Sequence, residues 1–75
     1  MSKTILFSNL EAELARANIT RAEIAAKIGV SANTMSAKLS GRSEFDLAEM
    51  NKARVAIETI TGQCYTLDYL FEKND

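Results

Sequence analysis

The chain has 75 residues, of which 47% are hydrophobic, and its formal net charge is −1. This length predicts one domain over residues 1–75, and the hydrophobic content is typical of globular rather than disordered chains. Apolar runs such as that in SKTILF (residues 2–7) are far too short to cross a bilayer, and no secretory signal pattern is present. We therefore expect a cytoplasmic protein with no membrane partner. SKTILF itself is either an extended lead-in or an early helical turn.

The first predicted helix begins at Ser8 and ends at Asn18. Glu11 follows Ser8 by three residues, the spacing of a capping box, in which each side chain bonds the other residue's backbone N–H. Leu10 and Leu14 lie four apart and give this helix an apolar stripe.

The second predicted helix begins after Thr20, where Glu23 completes another capping box. Gly29 is suited to the left-handed conformation that often ends a helix. Only Gly-Val-Ser separates this helix from the next one, which Ser31 opens and Gly41 ends. A turn this short favours a steep crossing of the two helices, so residues 20–41 are predicted to form a helix-turn-helix unit.

The third helix, over residues 31–40, has one narrow apolar edge, formed by Met35 and Leu39. The opposite side carries only small or polar side chains and is expected to be exposed. We call it the outer face, and its members are Ala32, Asn33, Ser36 and Ala37.

Two further helices complete the prediction. Phe45 is expected to plug the core, and Asp46 with Glu49 forms a capping box for the longest helix, which Gly62 ends. Thr66 begins a last short helix. The apolar stripe of the long helix is predicted to be Leu47, Met50, Ala53, Ile57 and Ile60. The sequence therefore predicts an all-α, compact five-helix domain.

Charge is unevenly distributed along the chain. Residues 16–42 contain five basic residues and one acidic residue, a net charge of +4, whereas residues 43–75 contain three basic and seven acidic residues, a net charge of −4. A local positive potential matters more for binding a polyanion than the total charge does. A mixed, solvated surface that happens to segregate is the alternative.

The outer face has the chemistry needed in the major groove of DNA. A slim helix can approach base edges, where Asn33 could pair with N6 and N7 of adenine and Ser36 could bond several bases. Ala32 and Ala37 could meet thymine methyl groups. The alternatives are that Asn33 bonds a backbone N–H and that Ser36 and Ala37 are neutral surface. Candidate phosphate contacts flank this face: Thr20, Arg21, Ser31, Lys38, Ser40, Arg42 and Ser43.

Residues 20–41, TRAEIAAKIGVSANTMSAKLSG, resemble the helix-turn-helix of the lambda-repressor-like superfamily, which includes phage Cro and repressor proteins and xenobiotic-response-element regulators. The matching residues are Arg21 at the start of the second helix, Ala25, Gly29 in the turn, Ser31 as cap, and Met35. The resemblance extends more loosely over residues 8–72.

The resemblance implies a homodimer that binds an inverted-repeat operator in double-stranded DNA. It assigns base contacts to the outer face and phosphate contacts to Arg21, Ser31 and the segment 38–43. One departure is that Lys38 stands where the family often places a buried aliphatic residue, a role that Leu39 is expected to take. Tyr65, Tyr69 and Phe71 are predicted as dimer contacts, with burial in the chain's own core as the alternative.

No enzyme is predicted. The sequence lacks histidine, the usual neutral-pH base, and Cys64 has no nearby activating partner. There is no set of metal ligands and no glycine-rich phosphate loop, so we expect no metal, no cofactor and no small-molecule substrate.

Two functions remain. The first is a sequence-specific DNA-binding transcriptional regulator, a phage or prophage repressor or Cro-like protein acting at the nucleoid of a bacterial host. The second is a protein-interaction module on the same fold, antitoxin-like or antirepressor-like, that uses its acidic half.

Overall fold

The structure is a computed structural model that describes residues 5–74. These residues form five α-helices and no strand: α1 (Ser8–Arg16), α2 (Arg21–Ile28), α3 (Ala32–Ser40), α4 (Leu47–Thr61) and α5 (Leu67–Leu70). The predicted all-α class is thereby confirmed. Residues 2–4 of the lead-in lie outside the described part of the chain.

The helix ends follow the capping signals closely. Thr20 with Glu23, and Asp46 with Glu49, form complete capping boxes at the starts of α2 and α4. Gly29 and Gly41 adopt left-handed φ angles of 94° and 90° and end α2 and α3, a conformation that strains most other residues.

The start of α1 corrects one prediction. The residue that precedes α1 is Phe7, which has no side-chain cap, and Ser8 is already helical. Phe7 is fixed in this position because its ring packs edge-on against Phe45 at 5.4 Å and Phe71 at 6.0 Å between centroids. Burial of an aromatic ring therefore sets the start of this helix, and no Ser8–Glu11 capping box forms.

The core lies where α2 packs against both α3 and α4, and where α5 packs against α1 and α4. Phe45 is buried, as predicted for a core plug. The prediction of the apolar stripe of α4 is wrong at both ends, because Leu47 and Ile60 are exposed. Ala56, which was not predicted to belong to the stripe, is buried. The fully buried large side chains are Leu10, Ile24, Met35, Ile57 and Leu70.

Candidate nucleic-acid interface

Helix α3 is attached to the rest of the domain by one side. Met35 and Leu39 are buried in the core, and Ser31 caps the helix by accepting a hydrogen bond from the backbone N–H of Thr34 at 3.1 Å. The Ser31 hydroxyl also donates to Oγ1 of Thr34 at 2.9 Å. The cap and the two apolar anchors together fix how far α3 stands out from the core.

The outer face is open to different degrees along its length. Ala32 and Asn33 are exposed, whereas Ser36 and Ala37 are half-buried. Because Asn33, Ala37 and Ser40 follow one another at intervals of four and three residues, they lie on the side of α3 opposite Met35. On this side Asn33 and Ser40 are exposed, and the small residue Ala37 between them is half-buried.

The Asn33 side chain makes no hydrogen bond to any residue of the range 5–74. The backbone N–H that is capped at the start of α3 is that of Thr34, and its acceptor is Ser31. The alternative in which Asn33 satisfies a backbone N–H is therefore not what the structure contains. Its amide is left with a donor and an acceptor directed at solvent.

Arg21 lies over α3 rather than pointing away from it. One guanidinium nitrogen, Nη1, donates to the Ser36 hydroxyl at 3.3 Å. The other, Nη2, lies 3.5 Å from Oε1 of Glu11 in α1. The guanidinium thus bridges three helices, and its contact with Ser36 accounts for part of the cover over the outer face.

Thr20 is committed to the capping box that precedes Arg21. Its hydroxyl accepts from the N–H of Glu23 at 3.1 Å, and its own N–H donates to the Glu23 carboxylate at 2.9 Å. These hydrogen bonds lower the pKa of Glu23, with the backbone bond from Thr20 as the largest cause. The box therefore holds the first turn of α2, which carries Arg21, in place.

Lys38 does not face outward as a phosphate contact requires. Its side chain is only 11% exposed, and its ammonium group lies 2.8 Å from the Glu49 carboxylate and 2.8 Å from the Glu44 carbonyl oxygen. Its stem occupies a core position beside Leu39, and Nζ lies 5.9 Å from the centre of the Phe45 ring. A lysine can fill an aliphatic position in this way when its charge has a partner at the rim. In this arrangement the Lys38 ammonium group is not available to a phosphate.

Residues 40–43, at the end of α3 and directly after it, are exposed and include one basic side chain, that of Arg42. The hydroxyl of Ser40 donates to the Ala37 carbonyl at 3.0 Å and accepts from Nε of Arg42 at 3.3 Å. The Ala37 carbonyl also accepts the backbone N–H groups of Arg42 and Ser43. Within residues 5–74, the terminal nitrogens of Arg42 have no partner and are available to an anion.

The charge asymmetry seen along the sequence is reduced in space. Three of the five basic residues in the range 16–42 pair with carboxylates: Arg16 with Glu13, Arg21 with Glu11, and Lys38 with Glu49. Among the described residues, the remaining two, Lys27 and Arg42, make no ion pair. Any positive potential at α3 therefore depends mainly on Arg42 and on the partly paired Arg21.

The three aromatic residues predicted as dimer contacts make contacts within the chain. Phe71 packs on Phe45, with ring centres 5.0 Å apart. The hydroxyls of Tyr65 and Tyr69 donate to the two oxygens of the Glu13 carboxylate at 3.0 and 2.7 Å. The alternative of self-burial thus describes Phe71 best, and both tyrosine hydroxyls are already satisfied.

Sequence reasoning missed this Glu13 cluster, which consists of Glu13, Arg16, Tyr65 and Tyr69. Glu13 is only 4% exposed although it is charged, and its Oε2 also accepts from Arg16 at 2.7 Å. The hydrogen bond from Tyr69, and then those from Tyr65 and Arg16 with the Arg16 charge, lower the pKa of Glu13 although burial raises it. The signal in the sequence was only that Glu13 adjoins the buried Leu14.

Two exposed apolar side chains of α4 lie beside one groove. Val55 and Ile60 are both 51% exposed and border a groove that also contains Ala56, with Lys27 and Lys52 at its rim. This surface shares no residue with the outer face of α3.

No protein-family model, no curated protein and no solved structure matches the chain. No helix among the described residues is long and apolar enough to span a membrane. The same residues contain no group of three or more potential metal-ligating histidine, cysteine or acidic side chains.

Proposed function

We propose that this protein is a sequence-specific DNA-binding regulator that places α3 in the major groove. Asn33 is the observation that carries the proposal, because it is an exposed amide without a protein partner in residues 5–74, at the projecting start of a slim helix. An asparagine in that position can bond N6 and N7 of adenine together. Ala32 beside it leaves room for close approach to a base pair.

Phosphate contacts would come from both sides of α3. Arg21 at the start of α2 and Arg42 after Gly41 offer guanidinium groups, and Ser43 offers a hydroxyl group. The hydroxyls of Ser31 and Ser40 already donate to acceptors inside the chain, so each would have to release that hydrogen bond before it could donate to a phosphate. Thr20 would act through the capping box it forms. Such contacts position a protein on the duplex, whereas base contacts carry the sequence information.

The resemblance over residues 20–41 adds the biological setting to the proposal. It favours a phage or prophage repressor or Cro-like protein that binds an inverted-repeat operator as a homodimer and blocks a promoter. Two recognition helices would then lie about one duplex turn, ~34 Å, apart. Sedimentation of the protein alone and on its operator tests the pairing, and one copy per operator would contradict it.

A division of labour between Asn33 and Arg21 tests the base-reading role. After the preferred site is selected from random oligonucleotides, Asn33→Ala should weaken binding to that site by ~1–3 kcal/mol and leave random duplex unaffected. Arg21→Ala should weaken binding to both duplexes alike. Fluorescence anisotropy measures all four affinities, and equal losses for both variants on both duplexes would refute the assignment.

A protein-interaction module on the same fold is the second candidate, and the exposed apolar side chains Val55 and Ile60 on α4 favour it. Salt dependence separates the two candidates. A DNA-binding protein that uses Arg21 and Arg42 should lose affinity for random duplex with a log–log salt slope of about −2 per copy. The interaction module should show negligible binding to random duplex even at low salt.

A further inference from the structure

Glu11 is an acidic residue in contact with the candidate interface. It lies in the first turn of α1, and its Oε1 is 3.5 Å from Nη2 of Arg21. The Ser36 hydroxyl accepts from the other terminal nitrogen of the same guanidinium at 3.3 Å. One basic side chain is therefore shared between a carboxylate on α1 and a hydroxyl on α3.

The pair is placed where it can open. The Glu11 side chain is 27% exposed and the Arg21 side chain 54% exposed, so both groups reach solvent. An exposed pair of this kind contributes little to stability and is screened by salt. Glu11 also has no role as a helix cap, because α1 begins after Phe7.

A carboxylate and a DNA phosphate present the same chemistry to a guanidinium, namely two anionic oxygens that match its planar fork. We propose, on the basis of the DNA-binding function above, that Glu11 is an intramolecular competitor for the phosphate that Arg21 binds. When DNA arrives, the phosphate displaces Glu11, while Ser36 keeps the guanidinium over α3. Glu11 thus lowers the affinity for every duplex and sets how strongly the protein holds nonspecific DNA.

Removal of the competitor should strengthen binding. Glu11→Gln is expected to tighten binding to the selected site and to random duplex alike, by about three- to tenfold at low salt, with a smaller gain at high salt. Asp68→Asn is the matched control, because it makes the same change in charge at an exposed residue of α5 that forms no ion pair within residues 5–74. This control should change affinity by less than about twofold.

The gain must pass through Arg21. In the Arg21→Ala background, Glu11→Gln should therefore change affinity by less than about twofold. In the free protein, Glu11→Gln should also shift the side-chain Nε resonance of Arg21 in a ¹H–¹⁵N spectrum, which reports the pair without DNA. All variants are compared after urea unfolding has verified that they are folded.

Each outcome has a separate meaning. A gain that depends on Arg21, together with the resonance shift, supports the competitor role. A gain that persists in the Arg21→Ala background means that Glu11 only repels DNA at a distance. No gain in a protein that binds duplex means that the Glu11–Arg21 pair does not compete with phosphate. Either result overturns this inference but leaves the proposed DNA binding intact. If the wild type and all variants fail to bind any duplex, the proposed function falls and this inference falls with it.

Discussion

The outer face of α3 and the Glu13 cluster satisfy their polar groups in opposite ways. On α3 the Asn33 amide is exposed and has no partner within residues 5–74, whereas three side chains donate to the single buried carboxylate of Glu13. The Glu13 cluster joins α1 to residues on both sides of the start of α5, and it is part of the scaffold. The difference shows that a polar side chain is available to an outside ligand when its polar atoms have no partner inside the chain, as at Asn33, or when its partner is exposed and can be displaced, as at Arg21.

Removal of the Glu13 carboxylate tests whether the Glu13 cluster stabilises the fold, and it is expected to have the largest effect. Glu13→Ala leaves Tyr65 and Tyr69 without their shared acceptor and should lower the free energy of unfolding by about 2–3 kcal/mol. Urea denaturation at neutral pH measures the loss. Glu44→Ala, at an exposed carboxylate, is the control and should change stability by less than about 0.5 kcal/mol. Equal effects of the two substitutions would mean that the Glu13 cluster contributes no more than the surface does.

Acid should weaken the same cluster. Because the folded-state pKa of Glu13 lies below its ordinary value of 4.5, the stabilisation is complete above that value and is lost as the pH falls through the folded-state pKa. The stability difference between the wild type and Glu13→Gln should therefore be constant near neutral pH and shrink as the pH is lowered below about 4.5.

Urea denaturation of both proteins between neutral pH and pH 3 measures this difference. The comparison isolates Glu13 from Glu23 and Glu58, whose pKa values are also lowered and which titrate in both proteins. A difference that stays constant over the whole range would show that Glu13 is not held ionised by its neighbours.

The parts of the fold that could be predicted are the local ones. The capping boxes at Thr20 and Asp46, the cap at Ser31 and the stops at Gly29 and Gly41 all involve residues close together in sequence. Their physics is complete within one helical turn, so the sequence pattern suffices. The start of α1 is the exception, because there Phe7 packs against the distant rings of Phe45 and Phe71, and this packing fixes where the helix begins.

The parts that could not be predicted depend on distant partners. Tyr65 and Tyr69 lie 52 and 56 residues from Glu13, and no periodicity announces that contact. The burial of Lys38 could not be predicted from the pattern of apolar residues in α3, because it depends on the ion pair that its ammonium group forms with Glu49. Within the candidate site, the exposure of Asn33 could be predicted because the apolar edge of α3 lies on the other side of the helix. The half-buried state of Ser36 could not, because it depends on the Arg21 side chain, which comes from another helix.

The smallest expected effect is the change in stability caused by Asn33→Ala, which tests whether the Asn33 side chain contributes to the fold. Because its side chain is exposed and makes no hydrogen bond within the described chain, Asn33→Ala should change the free energy of unfolding by less than about 0.5 kcal/mol, and helix propensity favours a slight gain. Urea denaturation of the free protein measures it. A loss above about 1 kcal/mol would assign Asn33 to the scaffold, as Glu13 is. Reduced DNA affinity in that variant would then no longer report a lost base contact, and the distinction between the two regions would fail at its central residue.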